Sequence, residues 1–142
     1  MKSYLYIPLF ALIISCSDNS TDNKNCRFLL NIGVNVSINM SLPQYSQLQF
    51  ISNSVYVPNV GNAGIIVTNT GSGYLAWDAA DPNHTPSNCS TLNVSGLNAI
   101  CGCEDKNTYS LVTGQAIGNG NLICSLKNYR VEQSGTNLRI YN

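Results

Sequence analysis

With 142 residues and a mass of 15.4 kDa, the chain has room for one domain that buries its own core and none for a second, catalytic one. Seven basic residues balance seven acidic ones, and Lys24, Arg27, Lys106, Lys127, Arg130 and Arg139 are spread along the sequence. This excludes the phosphate-facing basic stripe that nucleic-acid binding requires.

Lys2 opens the chain with a positive charge, Leu5 to Ile14 is an apolar run too short for a stable membrane span, and Ile13-Ile14-Ser15-Cys16 ends it. The pattern resembles a bacterial lipoprotein signal: an aliphatic residue, a tolerant position, a small residue, then cysteine. The resemblance implies that residues 1–15 are removed, that Cys16 carries the acyl chains, and that the protein sits lipid-anchored and extracytoplasmic in a bacterial cell envelope, at the outer membrane. Residues 16–25 are polar, include Asp18 and Asp22, and read as a flexible tether. An acidic start after the cysteine resembles the export signals of Bacteroidetes lipoproteins. Residues 26–142 form the expected domain.

From Val34 the sequence alternates. Val34, Val36, Ile38 and Met40 face one way and Asn35, Ser37 and Asn39 the other, as a half-buried strand requires, and Pro43 ends the run. Further short strands are expected at Ser54 to Val57, Ile65 to Thr68 and Tyr74 to Trp77. The last two are joined as a hairpin by the glycine-rich turn from Asn69 to Gly73. Asp81 to Asn88 contains Pro82 and Pro86 and is a loop, because proline cannot donate to a sheet ladder. Strands resume at Ser90 to Val94 and Ala99 to Cys101, and Tyr109, Leu111 and Thr113 lead to Gly114. Leu122 to Leu126 is strand-like, and Tyr129 with Val131 and Leu138 with Ile140 close the chain. No window beyond the leader keeps a helical apolar period, so the expected class is all-β, a sandwich or small barrel.

Trp77, the proline-bearing loop, Cys101-Gly102-Cys103-Glu104-Asp105, the run Tyr109 to Gln115, Leu126-Lys127-Asn128-Tyr129-Arg130-Val131 and Leu138-Arg139-Ile140 together resemble a Rieske-type [2Fe-2S] domain. The similarity covers about Ile65 to the end. It implies a Rieske-like antiparallel β-sandwich or barrel with a small loop-bearing subdomain near Asp81 to Gly114. Such domains hold the cluster by Cys-x-His in one loop and Cys-x-x-His in the next. Those positions fall here on Asp81 and Asn83 and on Cys101 and Glu104, so Cys101 is the one ligand retained. His84, displaced by one residue, is the sole histidine of the chain and a possible variant ligand. The ligand set therefore reads as degenerate and no cofactor is expected; the alternative is electron transfer through a variant [2Fe-2S] centre, as partner of an extracytoplasmic oxidoreductase.

The resemblance also implies a disulfide between the two loops, Cys89 to Cys103, worth roughly 3 kcal/mol by the chain-entropy model. Cys26 and Cys124 can pair, although no motif requires it, and Cys101 reads equally as a leftover ligand or a small buried hydrophobe. Rieske-like geometry would bring Asp81, His84, Cys101 and Glu104 together with Asp105 adjacent, a donor set suited to zinc. The plainer reading makes Glu104 and Asp105 solvated loop carboxylates, Asp81 a turn cap and His84 a surface residue, with no metal. No nucleophile–base pair or phosphate-binding loop motif is present, so catalysis is not expected. Trp77 and the eight tyrosines read as core and sheet residues. The function expected is that of a membrane-anchored lipoprotein whose Rieske-like domain has lost its cluster and serves an unidentified protein partner as a structural or binding module.

Overall fold

The alternating segment becomes β1 (Asn35–Asn39), and the computed structural model, which describes residues 26–142, continues through nine further strands. The lipoprotein signal, Cys16 and the tether lie outside the described residues. The strands are β2 (Ser54–Val57), β3 (Ile65–Asn69), β4 (Tyr74–Asp78), β5 (Leu92–Ser95), β6 (Asn98–Cys101), β7 (Thr108–Ser110), β8 (Ala116–Ile117), β9 (Asn128–Ser134) and β10 (Asn137–Tyr141). All pair antiparallel, in a six-stranded sheet of order β1-β10-β9-β4-β3-β2 and a four-stranded sheet of order β5-β6-β7-β8. The fold is all-β, with the larger sheet curved into a half-barrel and a smaller sheet that carries the loops. Among the described residues no helix is long and apolar enough to cross a membrane.

Strand β9 makes the curve. Tyr129 and Asn128 pair with Ala76 and Trp77 of β4, whereas Arg130 to Ser134 pair with β10, so one strand changes partner along its length. Inside the half-barrel, Val34, Ile38, Met40, Leu48, Val57, Ile65, Val67, Ala76, Tyr129, Leu138 and Ile140 form one core. A second core lies between the two sheets and contains Ile66, Trp77, Leu92, Ala99, Cys101, Tyr109, Leu111 and Leu126. Strand β3 serves both: Ile65 and Val67 point into the first core and Ile66 into the second. This is why Ile65-Ile66-Val67 is an unbroken apolar run, since neither face of the strand meets water.

Three segments differ from expectation. Pro43–Gln49 forms a 3-10 helix that buries only Leu48, with Pro43 in its first turn, where a missing N–H costs nothing. The residues after Ser110 turn instead of extending β7, as Gly114 N–H donates to Ser110 O at 2.7 Å. Leu122 to Leu126 joins no ladder. Its backbone is taken up elsewhere: Leu126 N–H donates to Gly114 O at 2.8 Å and Cys124 N–H to the Asn83 side chain at 3.0 Å.

Trp77 ties the two sheets by donating its indole N–H to Leu111 O at 2.8 Å. Gly114 packs beneath that ring, with φ +73° and with the place of a Cβ only 2.5 Å from Trp77 Cζ3. Both the left-handed backbone and the missing space demand glycine. Gly114→Ala is expected to lower stability by about 2 kcal/mol. A urea midpoint that does not move would show that the ring and the turn can separate at no cost.

Candidate functional site

The β4–β5 connection and the β6–β7 connection face each other across the edge of the small sheet. Leu92 N–H donates to Ala79 O at 2.7 Å, Gly102 N–H to Thr91 O at 3.2 Å and Cys101 N–H to Asn107 O at 2.8 Å, which fixes the base of both loops. A disulfide joins Cys89 to Cys103, with Cα atoms 4.8 Å apart. Gly102 allows this approach, because a Cβ there would stand 2.6 Å from Cys89 O.

Asp81 is 1% exposed and lies at the centre of a hydrogen-bond network. Its Oδ1 accepts from the Tyr109 hydroxyl and from Asn83 N–H at 2.9 Å, and its Oδ2 accepts from Asn107 Nδ2 at 2.9 Å. The bond to Asn83 N–H closes an Asx turn before the chain continues past Pro82, so Asp81 does cap a turn. It is nevertheless far more than a loop cap, since three separate donors converge on it. Asn83 is committed in the same way. Its Nδ2 donates to Tyr109 Oη at 2.8 Å and to Cys124 O at 2.7 Å, and its Oδ1 accepts from Cys124 N–H at 3.0 Å. One amide side chain thus pairs with both backbone groups of Cys124 as a neighbouring strand would.

Cys101 is buried, its thiol 4.0 Å from Cys89 O. Its pKa is pushed up to about 12, first by burial and then by the neighbouring Asp81 carboxylate, against a backbone N–H of Cys103 that acts to lower it. Tyr109 is likewise held above the ordinary tyrosine range by burial and then by its bond to Asp81. His84 is half-buried, with Nδ1 2.6 Å from Thr85 O and Nε2 3.8 Å from Asp105 Oδ2. Asp105 also accepts from Asn107 Nδ2 at 3.1 Å. Glu104 is exposed.

The set Asp81, His84, Cys101 and Glu104, the alternative to the plainer reading without a metal, is not among the close donor groups of the described residues. The close groups among the described residues are His84, Cys89 and Cys103, and Cys101, Cys103 and Asp105. His84 is accordingly less a surface residue than a loop contact. The residues that organise the site beyond those expected are Asn107 and Tyr109 and, on the far side of β4, Asp78. Asp78 is fully buried and accepts from the Tyr129 hydroxyl at 2.6 Å, Asn62 N–H and Nδ2 at 2.9 Å each, and Ala80 N–H at 2.9 Å. Tyr129 is held above the usual tyrosine range by burial and then by Asp78. Nothing local in sequence signals these pairings, whose partners lie 16 to 51 residues apart apart from the Ala80 turn.

A second disulfide, Cys26 to Cys124, has Cα atoms 5.6 Å apart and pins the start of the described chain against the Cys124 segment. Leu30 adds to the pin: its N–H donates to Asn62 Oδ1 at 2.8 Å and its carbonyl accepts from Lys127 Nζ at 2.9 Å. Cys101 remains the free thiol among the described residues.

These buried acids set a pH dependence. Cys101 has an ordinary value of 9.0 and the tyrosines of 10.0, and all three are raised in the folded protein. Above those ordinary values the unfolded chain gives up protons that the folded chain keeps, so the contribution of these three groups is fully present below pH 9 and is lost as pH rises from 9 upward. Thermal unfolding is expected to show a melting temperature level from pH 7 to 9 and falling above it. A flat profile to pH 12 would contradict the burial of these groups.

No family model matches the sequence, and no curated protein does. Among solved structures, the chain is similar to a crystal structure named as a nitrite reductase NADPH small-subunit oxidoreductase protein, at 17% identity and a TM-score of 0.42, over 74% of this chain and 97% of that one.

Proposed function

We propose that this protein is a lipid-anchored lipoprotein of a bacterial envelope, held at Cys16, whose Rieske-like domain no longer holds a [2Fe-2S] cluster and acts as a structural or binding module for a protein partner. One observation carries the proposal: two of the four positions that the resemblance assigns to cluster ligands, Asp81 and Asn83, are occupied by side chains already engaged with Tyr109, Asn107 and Cys124. A Rieske centre needs two thiolates on one iron and two imidazoles on the other. Asp81 and Asn83 instead bond Tyr109, Asn107 and the Cys124 backbone, Glu104 is exposed, and Cys101 alone offers sulfur. These four residues do not fit the cluster. The Cys89–Cys103 disulfide and the Asp81 network join the loops by bonds in which iron takes no part.

Two measurements test the proposal. Anaerobic reconstitution with iron and sulfide should leave a colourless protein without an EPR signal on reduction; a reducible iron-sulfur signal would refute the loss of the cluster and favour electron transfer. Lipidation predicts that the chain partitions into detergent when made in a bacterial host and that Cys16→Ser moves it to the aqueous phase. Equal partition of the two forms would remove the anchor.

A further inference from the structure

Two groups of sulfur, imidazole and carboxylate donors share the Cys103 sulfur at the facing loops, and the disulfide through that sulfur ties up two of the donors. The sulfurs of Cys89 and Cys103 and a ring nitrogen of His84 lie within 4.8 Å of one another, and Cys101, Cys103 and Asp105 form a second such group that shares Cys103. Sulfur ligands around a tetrahedral zinc ion at about 2.3 Å stand roughly 3.8 Å from one another. Cys103 Sγ is already 4.0 Å from His84 Nδ1.

The imidazole lies between the sulfurs and a carboxylate. Its Nδ1 faces Cys103 Sγ while Nε2 faces Asp105 Oδ2 at 3.8 Å, and a metal-bound histidine commonly gives its other N–H to a carboxylate. Asp105 is itself held by Asn107 Nδ2. The contact between Nδ1 and Thr85 O places the ring proton on Nδ1 in the present state. A metal at Nδ1 would have to break the bond to Thr85 O and shift the N–H to Nε2, toward Asp105. Cys89 is exposed and supplies the way in, whereas Cys101 and Cys103 are buried behind it.

We propose that reduction of the Cys89–Cys103 disulfide opens a mononuclear site for zinc or a similar thiophilic divalent cation, with Cys89, Cys101, Cys103 and His84 as ligands and Asp105 behind the imidazole. A dithiol reductant passes two electrons and two protons to the S–S bond and becomes a disulfide itself, leaving Cys89 and Cys103 as thiols. The cation then displaces the protons of three thiols as three metal–sulfur bonds form. Thiolate and imidazole ligands suit zinc, and a Cys3His set closes its tetrahedral shell. In the oxidised protein two of the four donors are spent on each other. Three of the four, Cys89, Cys103 and His84, stand outside the positions aligned with cluster ligands.

The test is a cobalt titration followed by zinc, on the full chain and on its Cys16→Ser form, before and after reduction with a phosphine. The reduced protein is expected to bind one cobalt per chain, with sulfur-to-metal charge-transfer and tetrahedral visible bands that zinc abolishes, and the oxidised protein none. His84→Ala and Cys101→Ser should each weaken binding about tenfold or more. Joint replacement of Cys26 and Cys124 by serine should leave binding unchanged. Cys89→Ser cannot form the loop disulfide and keeps the other, so it should bind cobalt without reductant, more weakly. Absence of cobalt bands from Cys89→Ser with a native circular dichroism spectrum overturns the site, as does equal binding by oxidised and reduced protein.

Discussion

Asp78→Ala will cost the fold about 4 kcal/mol, a large part of the stability of a domain this size. The carboxylate is fully buried and four donors converge on it: Tyr129 Oη, Ala80 N–H, and Asn62 N–H and Nδ2. The alanine variant leaves the hydroxyl and the Ala80 amide buried with no acceptor, at about 1 to 3 kcal/mol each, and leaves a cavity as well. The Asn62 donors are only part-buried and recover some bonding to water. Asn62 also clasps both backbone groups of Leu30, so the damage spreads to the start of the described chain. Urea unfolding measures the loss; a change below about 1 kcal/mol would mean that the four donors find other partners. Asp78→Asn separates shape from charge: it keeps the volume but sets one NH2 group against donors, and should fall between the two. Tyr129 should ionise at lower pH in both variants, yet remain raised, because burial is the larger cause of its shift.

The second large effect is expected from replacing Cys26 and Cys124 together by serine. The bridge joins residues 98 apart in sequence, and closing a loop of about that length is worth roughly 4 to 5 kcal/mol in the chain-entropy model. Most of this acts on the unfolded chain, so the native contacts of β1 to β10 should survive while the urea midpoint drops. The folded state should change in one place only. The segment before Val34 would be held by the polar contacts of Leu30 with Asn62 and Lys127, and its backbone should become open to protease. Unchanged protection there would show that those contacts suffice without the bridge.

Much of the fold is legible in the sequence because the larger sheet obeys a period of two. The alternating run Val34 to Met40 contains β1, with Val34, Ile38 and Met40 buried, and the glycine-rich turn after Asn69 does join β3 to β4. The run Ile65 to Thr68 reads as a strand, and its burial on both faces comes from the second sheet packed over it. The 3-10 helix at Pro43–Gln49 escapes because a single buried leucine leaves no period to read, and β8 escapes because two residues cannot show alternation. Leu122 to Leu126 misleads for the opposite reason, since it has the composition of a strand but its backbone partners include a side chain, Asn83.

At the loops, residue types carry only the resemblance by which Asp81, Asn83 and Glu104 are assigned to the sulfur and imidazole positions of a Rieske domain. They do not show where those side chains go. Tyr109 and Asn107 reach Asp81 across 28 and 26 residues, and such bonds follow from the stacking of the loops and carry no local signature. The pairing of Cys26 with Cys124 is permitted by parity and composition but required by neither, and it follows from the path of the first described segment along the body.

That path has a mechanical consequence. A pull applied through the chain before Cys26, against a load at the C-terminus, passes over the sulfur bridge directly to Cys124. Strands β1 to β8 lie within the closed loop and are bypassed by the tension, so only β9 and β10 can be drawn out while the bridge holds. The facing loops and their cysteines thus sit in a part of the molecule that end-to-end force cannot extend.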